Sequence, residues 1–482
     1  MVRLVSLEIV NNAVESQRLD QQGLEYVKNS LMGYVHQRYS AGASGVESAA
    51  LQNKLTQTLT YLFAALYGST WSTFFDDFLG LAGDASGSGS TNPSATVLYL
   101  RLLRSIHDEI ADVLIPRTPE EQKRNNELKD LVRARDATKI SASWVEVLSK
   151  WRQIDLDIVE HCLKCVSRWV SWIEISLVVN ESMLGCLWDL AGQQAIVSSD
   201  SKEGRTRDAA IDTFTETVGK KMSPSDKVEL LRLLNVNNVI GQLIASPGLS
   251  EYRSTSNYDT DLGETVAKLT NNVMFDIVKV LDTDGIDERT RTEAENLLQA
   301  CVPFLLRFFS DEYDEICSTV IPSMTDLLTM FRKRVKSGGG LPSQYSAMLQ
   351  PILDSIVLKM KYDETAEWGH EDEQTDEAEF QELRKRLHVL QQTVAAIDET
   401  LYMETLSRLV ASTFSVLDSP ERKITWRDLD LALHEMYLFG ELAMRNGGLY
   451  QKSAPTGIAS QHLVEMMLKL LDSGMSYSLC VP

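Results

Sequence analysis

Turn punctuation of the β-hairpin kind is nearly missing from this chain. Strand-like alternation flanked by Asn-Gly or Asp-Gly hardly occurs, which excludes a β-rich fold. No apolar run approaches the roughly 18 residues of a membrane span. The opening MVRLVSLEIV lacks the charged, apolar and small-residue regions of a signal peptide, so cytosol or nucleus is the expected compartment. Cysteines are few, at 162, 165, 186, 301, 317 and 480. Their one close pair, CLKC (Cys162, Cys165), sits in a helix-like run without a second pair, so buried thiols are expected and not zinc. Positive charge is also in deficit: 47 Lys and Arg against 68 Asp and Glu leave a net charge of -21. That argues against binding nucleic acid through overall charge, though a local basic surface stays open.

Enzyme signatures are missing too. There is no GxxxxGK[ST], no GxGxxG after a strand, no GxSxG and no HExxH; His434-Glu435 is never followed by the second histidine. DTDGIDERTRTE (282–293) places Asp282, Asp284 and Glu293 near calcium-loop positions, but its Gly falls two places early. A helix start capped by Asp284 or Asp287 is the expectation. No residue is nominated as catalytic, cofactor-binding or metal-ligating, and the protein is expected not to be an enzyme.

What is present is helical periodicity. Leu7, Val10 and Val14 recur at spacings of 3 and 4, as do Leu55, Leu59 and Leu62, and Leu390, Val394 and Ile397. GSTW (68–71) offers a cap before an apolar helix, SPSDKVELLRLLN (223–235) reads as cap, helix, stop, and KSGGG (336–340) ends another. Helix pairs recur about every 40 residues, the period of HEAT-like arrays, in which a pair buries its apolar face only against its neighbours. The expected fold is therefore all-α, a HEAT-repeat superhelical solenoid; independent helical bundles are the alternative. GDASGSGSTNPS (83–94), SSDSKEGRTRD (198–208) and an acidic run interrupt the pattern. Trp71, Trp144, Trp151, Trp169, Trp172 and Trp188 fall in apolar helical settings and are expected to pack between repeats. The apolar period starts at Val2 without a polar lead-in, and no capping helix closes the other end. A piece of a longer array is the expectation.

Charge is clustered in both signs. KYDETAEWGHEDEQTDEAEF (361–380) holds nine carboxylates and one Lys. A hard-metal site, an inert solvated loop and a landing surface for a basic partner all compete for it. The basic groups are Lys123, Arg124, Lys129 and Arg133, then Arg332, Lys333, Arg334 and Lys336, then Arg384 and Lys385. Each is either a solvated face pairing with nearby carboxylates or a phosphate contact, and helical spacing puts Lys129 with Arg133 and Arg332 with Lys336. No aromatic platform of the single-strand kind accompanies them, so RNA would be read by shape and backbone.

LTYLFAALYGSTWSTFFDDFLGL (59–81) resembles the Trp-centred helix pair of the exportin-1/importin-β-like region of nuclear exportins. RNNELKDLVR (124–133), VSWIEISLVVN (170–180), VGKKMSPSDKVELLRLLN (218–235) and VLKMKYDETAEWGHEDEQTDEAEFQELRKRL (357–387) follow in the order and wording of the exportin-T family of karyopherins. The 83–94 insert resembles a fungal-type elaboration. This resemblance implies a tRNA export receptor that binds mature tRNA cooperatively with Ran-GTP, crosses the nuclear pore past its nucleoporins, and releases cargo on GTP hydrolysis in the cytoplasm. It implies a monomer without cofactor or membrane association, shuttling between nucleus and cytoplasm. It divides the chain into a helix pair at 1–42, the exportin-1/importin-β-like region at 43–197, and exportin-T repeats at 198–482. By the same likeness Asp363, Glu364, Glu371, Asp372, Glu373, Asp376 and Glu377 face a basic surface of Ran, and the basic groups face tRNA. The family's first helices, with its main Ran-binding element, and the C-terminal half of its tRNA cradle are not matched. A karyopherin for protein cargo and a HEAT-repeat scaffold are the alternative functions.

Overall fold

The computed structural model describes residues 2–40, 47–83, 92–192, 198–250, 258–363, 374–417, 424–445, 450–451, 454–455 and 457–472. Among them the only strand pairing is a two-residue ladder of Tyr450–Gln451 with Ala454–Pro455. Everything else regular is helix, and the chain divides into two compact units, 1–251 with 257–265 and 252–256 with 266–482.

The first unit holds α1 (Val2–Glu15), α2 (Gln21–Tyr39), α3 (Ala49–Leu66), α4 (Phe74–Ala82), α5 (Pro93–Ile110), α6 (Pro119–Arg135) and α7 (Ala137–Trp151). It continues with α8 (Leu156–Trp169), α9 (Glu181–Ala191), α10 (Lys202–Val218), α11 (Pro224–Leu233), α12 (Val236–Ile244) and the short α13 (Pro247–Ser250). Starts are specified locally. Ser48, Asn92, Thr118, Ser201 and Ser223 each accept a hydrogen bond from a first-turn amide, and Pro93, Pro119 and Pro224 occupy the first helical position, where a missing N–H costs nothing. The expected cap in GSTW differs: that segment closes α3, and α4 starts at Phe74. Asp77 holds the entry there, accepting from the Trp71 indole at 2.7 Å and from the Thr73 hydroxyl at 3.3 Å.

Packing follows alternate helices. α1, α3, α5, α8 and α10 stack in succession, and α2, α4, α7 and α9 pack against that row. Leu55, Leu59 and Leu62 are fully buried in the row, as the spacing predicts. Trp169 stands edge-on to Trp144 at 5.9 Å and donates to the Leu103 carbonyl at 2.9 Å, tying α8 to α5. Trp71, Trp144, Trp151 and Trp169 are buried between helices, whereas Trp188 is 40% exposed. Cys162 and Cys165 are buried thiols on the same seam, donating to the Trp144 and Leu100 carbonyls. Burial pushes both up, Cys165 to about 12, so neither is a thiolate at neutral pH. The polar turn at 198–208 does not separate compact units. Lys202 and Arg205 within it already belong to α10 and pair with Asp157 of α8, and α10 packs along α8.

After α14 (Thr260–Leu281), which straddles the division, the second unit holds α15 (Glu288–Phe309), α16 (Asp314–Lys336), α17 (Ser343–Lys359), α18 (Gln374–Ile397), α19 (Glu399–Leu417), α20 (Trp426–Arg445) and α21 (Ile458–Asp472). Here α15, α17, α19 and α21 pack in succession, with α16 and α18 alongside and α20 against α19 and α21. Packing of every second helix is the mark of a helical-repeat array. The repeat is longer than the roughly 40 residues expected: α15, α17, α19 and α21 begin at residues 288, 343, 399 and 458, because several helices here exceed twenty residues. Asp287 caps α15 by accepting from the Thr290 amide at 2.9 Å, as the sequence suggests. Asp287→Ala should lower the urea midpoint of unfolding, because the Thr290 amide loses its acceptor. An unchanged midpoint would remove this cap from the account.

Candidate nucleic-acid interface

The first basic cluster rides on α6. Its start is a capping box, Thr118 accepting from the Glu121 amide while Glu121 accepts from the Thr118 amide. Only Asn125, Leu128 and Val132 of this helix are buried, so it presents most of its circumference to solvent. Arg124 is taken up by Glu109 at 2.7 Å. Lys123 is exposed and Lys129 half-buried, and neither has an ion pair or hydrogen bond among the described residues. Burial lowers the Lys129 ammonium from its ordinary value, and the Arg133 charge adds to it.

Arg133 pairs with Asp130 at 2.6 Å and also has a second job. The last carbonyls of a helix carry its negative pole and lack intrahelical donors. Arg133 donates to the Trp172 carbonyl at 2.8 Å, just past the end of α8, and its guanidinium lies over the Trp172 ring at 5.7 Å. Lys220 donates to the Val170 and Ile173 carbonyls, both at 2.7 Å, in the same turn. Lys129, Arg133 and Lys220 thus converge on one corner of the first unit, where each depresses or feels a like charge. Lys220 was not singled out in the sequence because it lies almost ninety residues from its neighbours there.

Capping by a distant cation recurs. Arg135 donates to the Tyr67 carbonyl behind α3, Lys227 to the Val218 carbonyl at the end of α10, and Lys359 to the Asp311 carbonyl behind α15. Two sequence candidates for RNA contact belong to this set. Arg334 donates to the Leu281 carbonyl at the end of α14 at 3.2 Å and covers the Tyr345 ring at 4.9 Å. Arg384 departs furthest from expectation. It is 5% exposed, donates to the Met360 carbonyl behind α17 at 2.8 Å, bonds Asp430 at 2.5 Å, and stacks on Tyr362 and Phe380 at 4.5 and 4.9 Å. Its charge is enclosed by protein, so its expected role as a surface contact is corrected to an internal one. Lys333 pairs with Asp282 and Lys385 with Glu382 on the surface. Arg332 and Lys336 are exposed and without a partner among the described residues.

Of the acidic candidates, Glu364, Glu371, Asp372 and Glu373 lie outside the described residues, as does most of the 83–94 insert. Asp363 is half-buried, Asp376 exposed and Glu377 half-buried, the last two in the first turn of α18 where the helix dipole favours carboxylates. Tyr362 and Phe380, which bracket the run, make a tilted ring contact at 4.7 Å.

This architecture defines the class. The solved structure of Importin13 in its cytosolic state superposes with a TM-score of 0.62 at 13% identity, covering 94% of this chain and 49% of that one. The fold is the all-α HEAT-repeat solenoid class of the karyopherins. Residues 48–214 match the family model of Exportin 1-like protein, and residues 288–479 match that of Exportin-T. Proteins named Exportin-T align along almost the whole chain: 57% identity for Phaeosphaeria nodorum and 54% for Neurospora crassa, each over 99% of it, and 51% over 98% for Aspergillus fumigatus. Along almost its whole length the chain is similar to members of the exportin-T family. It spans 46% of the length of these relatives.

Proposed function

We propose that this chain is the RNA- and GTPase-engaging part of a tRNA export receptor, a carrier without catalysis of its own. The observation that carries the reading is the meeting of Lys129, Arg133 and Lys220 at one corner of the first unit of a chain whose net charge is -21. Cations gathered locally on an acidic protein select a polyanion that fits the surface and repel others. In the full receptor, mature tRNA and Ran-GTP bind cooperatively in the nucleus, each lowering the ordering cost of the other. Passage along the nucleoporins of the pore and GTP hydrolysis in the cytoplasm then release the cargo. The acidic run, with Asp376 and Glu377 at its helical end, draws a basic face of Ran by long-range, salt-screened attraction.

A gel shift with folded tRNA, with and without GTP-loaded Ran at stated salt, tests this. Ran-dependent retention of tRNA, but not of an unstructured RNA of equal length, is expected. Equal retention of both would sink the reading. Neutralising Asp363, Asp376 and Glu377 to their amides should weaken Ran binding at low salt by several-fold and flatten its salt dependence. Identical low-salt affinity in variant and parent would dismiss the acidic run as a Ran contact.

A further inference from the structure

Helices α18, α19 and α20 of the second unit leave a cleft of about 210 Å³ between them. Ala395 and Ala396 of α18 line it, and side chains this short leave the room. Leu438 and Leu442 of α20 form an apolar wall. The polar groups come from all three helices: Glu399 and Tyr402 of α19, Glu441 of α20, and the His388–Gln392 pair of α18, joined at 3.0 Å. Gln392, Ala396 and Glu399 are exposed, so the cleft opens to solvent on that side. Tyr402 is 4% exposed, and its hydroxyl has no hydrogen-bond partner among the described residues. Unlike the sealed Oε1 atoms of Gln391 and Glu435, this hydroxyl is not closed off from the cleft. Its ring lies parallel to that of Phe439 at 6.2 Å, which holds the phenol in place. Burial, with the Glu435 and Glu441 carboxylates, pushes it well above its ordinary value, so it stays a neutral phenol. Glu441 takes only the Tyr437 hydroxyl at 3.2 Å and pairs with no cation among the described residues.

A hydroxyl left unmatched at the base of a cleft costs free energy, and carboxylates beside it attract a cation. An anion is disfavoured: two carboxylates repel it, and at the positive end of α19 the Leu401 amide already donates to Asp398. A metal ion does not fit, since no three of these carboxylate and imidazole groups converge among the described residues. A nucleotide or another drug-sized ligand needs about 300 to 1,000 Å³. What fits is one narrow chain with a charged tip. A guanidinium pairs best with a whole carboxylate edge in its plane, and Glu441 Oε1 is engaged by Tyr437. An ammonium carries three separate donors, and Glu399, Tyr402 and Glu441 offer an oxygen each. We infer that the α18–α19–α20 cleft binds a primary ammonium on a short alkyl chain, its charge among Glu399, Tyr402 and Glu441 and its methylenes along Ala395, Leu438 and Leu442. A free polyamine and the lysine side chain of a protein segment both carry that group. The site is independent of the carrier reading above and of its basic corner.

Isothermal titration calorimetry of the whole 482-residue chain tests this with pentylammonium, spermidine and Nα-acetyl-lysine amide, against pentanol and Nα-acetyl-arginine amide as comparisons. Glu441→Gln should weaken pentylammonium binding about tenfold, the loss of a charge-assisted bond. Tyr402→Phe should weaken it several-fold with thermal stability unchanged or raised, since the hydroxyl has no partner in the free protein. Ala396→Phe plugs the mouth without altering charge and should abolish saturable binding. Diffuse attraction to a chain of net charge -21 would survive that plug, so the variant supplies the background to subtract. Above that background, spermidine held more tightly than acetyl-lysine amide assigns the cleft to free polyamines, and the reverse assigns it to a protein lysine. Either order supports an ammonium site. Binding left intact by Ala396→Phe overturns the cleft. Equal binding of pentanol, or tighter binding of acetyl-arginine amide, overturns the ammonium assignment. No saturation by any of the three amines overturns the inference altogether and leaves the tRNA reading standing.

Discussion

Arg384→Met should destabilise the second unit by about 3 kcal/mol while leaving affinity for tRNA unchanged. Removing one member of a buried, hydrogen-bonded charge pair costs roughly 3 to 5 kcal/mol, because its partner keeps the desolvation penalty and loses the compensation. The lower end applies here, since the Asp430 side chain is 33% exposed and can recover water. The variant also strands the Met360 carbonyl at the end of α17 and removes the cation from above Tyr362 and Phe380. Urea unfolding followed by tryptophan fluorescence reads this directly, because Trp426 packs on Tyr362 at 5.3 Å. Lys385→Met, one position along and fully on the surface, is the comparison and should change little. Loss of RNA affinity in Arg384→Met without loss of stability would restore Arg384 to the interface.

That contrast shows what was readable in the sequence and what was not. Helix periodicity was legible because burial obeys it: Leu390 and Val394 are buried at the spacing that picked them out, and Leu7 and Val14 likewise. Caps such as Ser223 and Asp287 were legible because donor and acceptor lie three residues apart. Basic clusters were misleading for the opposite reason. The carbonyls that claim Arg133, Arg334 and Arg384 lie 39, 53 and 24 residues away, and only stacking brings them near. One clue was present: Arg384 adjoins the stripe of Leu383, Leu387 and Leu390, three residues before Leu387, so helical geometry already turned it inward.

Glu435→Gln should stabilise the second unit by up to about 3 kcal/mol at pH 7 and above, and by nothing measurable near pH 4.5. Glu435 is fully buried on α20, and burial raises its carboxyl to about 7 against an ordinary 4.5, the Gln391 bond opposing only in part. Its Oε2 accepts from Gln391 Nε2 of α18 at 2.6 Å, while Glu435 Oε1 and Gln391 Oε1 are both buried without partners. A proton on Glu435 Oε1 supplies the one donor that could join those two atoms, making a paired acid and amide. Unfolded chains ionise this group near 4.5, so stability falls as pH rises from there to about 7 and is level beyond. An amide at position 435 carries the needed N–H permanently and abolishes the decline. Half-buried His107 and His434, each held down to about 4 by desolvation, act in the reverse sense, losing stability as pH drops from their ordinary 6.5. They are common to variant and parent and cancel in the difference, which is the quantity to plot. A difference independent of pH from 4.5 to 8 would mean that Glu435 is ionised inside the fold, and the acid–amide pair would be wrong.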